Sequence, residues 1–139
     1  MFSLHSSKEK IRKLNEIIIA GVMVSSFELA DNVVGILIES DVDEKLIEKV
    51  HAMILEKLSV HEEINLFFEI RRGNEVSFRA FLNQMKFNFR NIGKFNKIAV
   101  VTDLGWIRNS MIIKDALMPA DIADFSNNDR LNALAWISQ

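Results

Sequence analysis

An α/β fold, with a mixed but mostly parallel sheet entered through an N-terminal hairpin and covered by about four helices, is predicted by three observations. From about Phe27 onward, β-branched apolar runs alternate with segments whose apolar residues recur at helical spacing. Two of those runs, Val33–Glu39 and Ile98–Thr102, are apolar on both faces, as strands buried on two sides are. One segment, Phe78–Ile92, carries an unbroken apolar stripe of helical period.

Taken in order, Ile17–Leu29 reads as strand-like, and the turn Ala30-Asp31-Asn32 joins it to Val33–Glu39 as a hairpin. Asp43 is placed to cap the helix that follows, in which Leu46, Ile47, Val50, Met53, Ile54 and Leu58 share one stripe. Ile64–Ile70 is the next strand. After the turn at Arg71–Asn74, Phe78, Phe81, Leu82, Met85, Phe89 and Ile92 define a helix whose apolar stripe should face the core, with Gly93 as its left-handed end. Ile98–Thr102 should then be a central parallel strand, and a helix should run from Gly105 toward Pro119 with Trp106, Ile107, Met111 and Ile112 available for burial. Asp121–Phe125 alternates as an edge strand does. Ser126 and Asp129 form a capping pattern for a last helix that turns Leu131, Leu134 and Ala135 inward, with Trp136 or Ile137 widening the stripe.

Residues 1–26 are expected to be an N-terminal extension, partly strand-like, and residues 27–139 one domain. The chain has 139 residues, 49% of them hydrophobic, which is material for a core without disulfides or metal. With no cysteine there is no thiol nucleophile and no thiolate metal site. His5, His51 and His61 do not fall at spacings that place two imidazoles on one metal, so neither metal nor cofactor is expected. A net charge of −2 argues against nucleic acid as a partner. Lys8, Lys10, Arg12 and Lys13 before Ile17–Val24 imitate a signal peptide, but Glu16 abuts a short apolar stretch and no small-residue cleavage pattern follows. No run approaches the roughly 20 apolar residues of a membrane span, so a cytoplasmic protein without membrane contact is expected. Nucleophile elbow, phosphate loop and dinucleotide fingerprint are all missing, so the reading is of a protein that is not an enzyme.

Asp31–Gly35 opening a strand, Phe81–Arg90 on the long helix, Lys97–Asp103 followed by Trp106, Met118-Pro119 before the edge strand and Ala133–Trp136 near the end occur in the order and spacing of a known group. In these features residues 27–139 resemble the SpoIIAA-like family of small bacterial, STAS-related proteins. The resemblance implies a SpoIIAA-like or CRAL-TRIO-like layered fold and, for most members, no established biochemical activity. Its best understood branch antagonises anti-sigma factors and is switched by phosphorylation of a serine at the start of the helix after the third strand. Ser77 is the hydroxyl near that place, and it equally suits the N-cap of the Phe78 helix.

Two further groups stand out. Arg79, Lys86 and Arg90 form a cationic stripe along the long helix, and Phe87 lies about 180° from Phe78, opposite the apolar stripe, where it should be exposed. Together they are a candidate interface for a protein partner or for a homodimer, set against an ordinary solvated surface with scattered apolar residues. Asp103, Trp106, Arg108 and Met111 follow the central strand at the carboxyl end, where open α/β sheets place ligand clefts. They are a candidate pocket for a small amphipathic, lipid-like molecule, with core packing as the competing account. A regulatory or adaptor domain, a carrier and a serine switch thus remain open.

Overall fold

Five strands form one sheet in the order β1-β2-β3-β4-β5. The computed structural model that shows this describes residues 24–30, 32–110 and 120–139, the first stretch as backbone. Strand β1 (Val24–Ala30) pairs antiparallel with β2 (Val33–Ile38), with a register irregularity between Glu28 and Ala30. Strands β3 (Ile64–Ile70), β4 (Phe95–Val101) and β5 (Asp121–Phe125) then add in parallel, giving the expected hairpin followed by three strands parallel to β2. Residues 17–23 of the predicted first strand lie outside the described residues.

Strand alternation sorts side chains onto two faces. Val34, Ile36, Ile38, Leu66, Phe68, Ile70 and Ile98 belong to one buried cluster, against which helices α1 (Glu44–Leu58), α2 (Phe78–Arg90) and α3 (Gly105–Arg108) pack. Val33, Phe67, Ala99 and Val101 face the other way, onto Ala133 and Ile137 of helix α4 (Arg130–Ile137). Helices on both faces explain why β3 is buried at every residue, its Asn65 and Glu69 included.

Helix α1 forms as its sequence predicts. The Asp43 carboxylate accepts from the Leu46 amide at 2.8 Å, and Leu46, Ile47, Val50 and Ile54 are buried. Gly93, at φ 83°, supplies the left-handed backbone that turns the chain toward β4.

Four local expectations are overturned. Phe78, Phe89 and Ile92, assigned inward, are exposed, whereas Phe87, assigned outward, is buried. The reason is that α2 packs against α1 as well as the sheet, so its buried side runs through Ala80, Phe81, Phe87 and Asn88 and is turned about a third of a turn from the apolar stripe. The helix after β4 ends at Arg108, and residues 111–119 lie outside the described residues. Ser126 and Asp129 bond each other at 3.2 Å across a 3₁₀ turn, Asn127–Asp129, instead of capping α4 with a side chain. In α4 it is Ala133 and Ile137 that are buried, while Leu131 and Ala135 are exposed, because this short helix turns one narrow side onto the sheet, chiefly over β3 and β4.

Candidate functional site

Where α1 and α2 bridge over β3, β4 and β5, side chains that are individually well packed leave a cavity of about 70 Å³. Leu66, Phe68, Ile70, Ile98, Val100 and Ile122 form its floor on the sheet. Ile47 of α1 and Ala80, Phe81 and Met85 of α2 close it from above, with Ile107 of α3 at one end. Val76, Met85, Val100 and Ile122 are only half-buried and make its rim. Against roughly 30 Å³ for a molecule of liquid water, the space suits the end of an alkyl chain or a small ring.

Two amides interrupt the apolar lining, Gln84 and Asn88, one helical turn apart on α2. Gln84 Nε2 donates to Asn88 Oδ1 at 2.9 Å, and Gln84 Oε1 pairs with Nε2 of His51 on α1 at 3.0 Å. The His51 ring lies flat on Phe87, with centroids 4.1 Å apart and planes within 8°. Burial lowers the His51 pKa from the ordinary histidine value, an effect that the Gln84 hydrogen bond and Glu48 partly oppose. The imidazole is therefore neutral near pH 7. Phe87, with Phe95 6.4 Å from it, is thus a wall of the α1–α2 contact and not an exposed anchor.

Trp106 stands beside this site at 41% exposure. Its ring meets Phe81 edge-on at 5.2 Å and Phe78 at 6.5 Å, so the indole is one residue removed from the cavity wall. Asp103 and Arg108 of the predicted pocket are each engaged by other partners. Asp103 accepts from Arg72 Nε at 2.8 Å and from the Asn127 amide at 2.9 Å, and these two donors hold its carboxyl below the usual carboxylate range. Arg108 donates to Asp124 at 2.9 Å. The Asp103 contacts, with Arg72 also reaching Asn128, tie the loops after β3, β4 and β5 together, and the Arg108 contact ties α3 to β5. Met111 lies outside the described residues.

The cationic residues of α2 remain at the surface. Arg79, Lys86 and Arg90 are exposed, and Arg79 reaches Glu44 at 3.8 Å. Beside them runs the exposed apolar stripe of Phe78, Phe89 and Ile92. Ser77 is exposed and accepts from the Ala80 amide at 3.1 Å, in the extended backbone of an N-cap. On the opposite face Glu69, 1% exposed, is held by Arg130 at 2.9 Å and faces Arg71 at 3.9 Å. Among the described residues no cluster of three His, Cys, Asp or Glu side chains could hold a metal ion, and no helix is long and apolar enough to cross a membrane.

Sequence reasoning missed Gln84, Asn88 and His51. Their spacing on paper is that of ordinary polar surface residues, and only the rotation of α2 reveals that Gln84 and Asn88 turn inward, to where His51 of α1 meets them.

Among the described residues, four parallel strands with an antiparallel edge strand, three helices on one face and one on the other define a layered α/β domain with a partly open apolar cavity. The SpoIIAA-like family model matches residues 33–138, and the chain belongs to that family. Its structure is similar to the crystal structure of an uncharacterized DUF3478-family protein with a SpoIIAA-like fold from Shewanella loihica PV-4. The TM-score is 0.60 at 13% identity over 82% of this chain and 91% of that one, a likeness of fold. No curated protein matches the chain.

Proposed function

We propose that this SpoIIAA-like domain is a non-enzymatic cytoplasmic binding module that takes a small apolar or amphipathic molecule into the cavity between α1–α2 and the sheet. The observation that carries this reading is the cavity itself: about 70 Å³, apolar apart from two convergent amides, with a half-buried rim. The carboxylates Asp103 and Asp124 are tied up in ion pairs away from it, and no nucleophile lines it among the described residues.

Trp106 supplies the test, since it contacts the cavity wall through Phe81. In a Trp136→Phe variant it is the only tryptophan left. Titration with medium-chain methyl ketones and methyl esters should shift its emission saturably. Emission that stays constant through every titration removes the support for this reading.

A second reading, docking of a protein partner or of a second copy as a homodimer, is favoured by the exposed stripe of Phe78, Phe89 and Ile92 flanked by Arg79, Lys86 and Arg90. Exposed aromatics beside arginine are typical interface material. Sedimentation of the wild type against Phe89→Ser tests it: a dimer that the substitution dissociates supports a homodimer, and a monomer in both removes it.

A further inference from the structure

The amides of the cavity point to the chemistry of its occupant. Neutral His51 carries one ring proton, and a hydrogen bond from Nε2 to a carbonyl oxygen places that proton on Nε2. In this arrangement the Gln84 oxygen receives from His51 and its nitrogen donates to Asn88 Oδ1. With its own oxygen taken, Asn88 is left with a nitrogen that only donates. Asn88 lines the cavity and is 5% exposed, yet among the described residues its Nδ2 has no hydrogen-bond partner. A ligand that displaces water from this nitrogen leaves the donor unpaired unless it brings an acceptor of its own.

We infer that the cavity selects an uncharged molecule with one carbonyl-type acceptor, a ketone, aldehyde or ester, whose oxygen receives a hydrogen bond from Asn88 Nδ2 while its apolar remainder packs on Leu66, Phe68 and Ile98. This rests on the reading of the cavity as a ligand site. An ionised carboxylate is disfavoured, because no cation lines the cavity among the described residues to offset its desolvation. A hydrocarbon of the same shape fits but leaves the Asn88 donor unpaired. A donor-only ligand meets N–H with N–H.

Three ring compounds of similar size separate these cases: cyclopentanone, methylenecyclopentane and pyrrole, which present an acceptor, no polar group and a donor. Binding to the wild-type chain is followed by the methyl resonances of Ile98, Leu66 and Met85 and by the Asn88 side-chain amide resonance. Cyclopentanone should bind about tenfold more tightly than methylenecyclopentane, the usual consequence of one hydrogen bond gained in a dry site, and should move the Asn88 amide signal. Pyrrole should bind more weakly than either. In Asn88→Leu, close in size, the preference for the ketone should vanish while methylenecyclopentane still binds. Equal binding of ketone and hydrocarbon to the wild type overturns the inference but leaves the cavity as a ligand site. Failure of all three to move the cavity methyls overturns both. Preference for pyrrole, or a ketone preference that survives in Asn88→Leu, overturns the assignment of Asn88 as the donor.

Discussion

Replacing Phe87 by alanine separates a buried wall from a surface anchor. The ring is 5% exposed, stacks on His51 at 4.1 Å and lies 6.4 Å from Phe95, so its removal opens a hole between α1, α2 and the start of β4. Neither helix can close that hole without pulling away from the sheet. Buried Phe→Ala substitutions cost about 3–5 kcal/mol, a large share of the roughly 5–15 kcal/mol that holds a domain of this size folded. An exposed aromatic would cost under about 0.5 kcal/mol. Urea unfolding followed by far-ultraviolet circular dichroism distinguishes the two, and the midpoint should fall at an unchanged slope. A double-mutant cycle of Phe87→Leu with His51→Ala should add a coupling of about 0.5–1.5 kcal/mol for the stacked pair. A loss below about 1 kcal/mol in Phe87→Ala would refute the packing described for α1 and α2.

Three further outcomes are expected. Ser77→Ala should lower stability by about 1 kcal/mol through loss of the Ala80 cap, and Ser77→Asp, which keeps an acceptor at the N-cap, should retain most of it; equal losses by thermal unfolding count against the cap. His51 has a folded-state pKa below its unfolded value, so the unfolded chain binds the proton more readily. Its contribution is complete above the unfolded value of about 6.5 and is lost as pH falls through the lower folded value, a dependence that should disappear between pH 7 and 5 in His51→Gln. Arg130→Met leaves the 1%-exposed Glu69 carboxylate with only the distant Arg71, and should destabilise the fold at neutral pH by about 2 kcal/mol, below the usual cost for breaking a fully buried pair because Arg130 is itself 38% exposed; denaturation at pH 7 measures it.

Much of the fold was legible because strand and helix periods differ. Val33–Ile38 has one reading because both its faces are apolar, Ile64–Ile70 because its apolar residues alternate on one face, and Asp43 and Gly93 punctuate as their chemistry dictates. The candidate site was less legible for an equally physical reason. The apolar stripe of α2 names a face but not what meets it, and the helix sits between α1 and the sheet, so that Gln84 and Asn88 turn inward while Phe78 and Phe89 turn out. Asp103 and Arg108 carried the right residue types at the carboxyl end of β4, but Arg72 and Asp124, which pair with them, come from distant parts of the chain. No spacing rule announces such partners.

The central claim is that the cavity on the α1–α2 face of the sheet is the ligand site, and methyl-labelled nuclear magnetic resonance tests it most directly. On titration with a medium-chain methyl ketone, the account predicts saturable shifts at Ile47, Leu66, Met85, Ile98 and Ile122, which line the cavity, and stillness at Val33, Val101 and Ile137 on the opposite face. Shifts absent from the first group, or spread evenly over both, would contradict it.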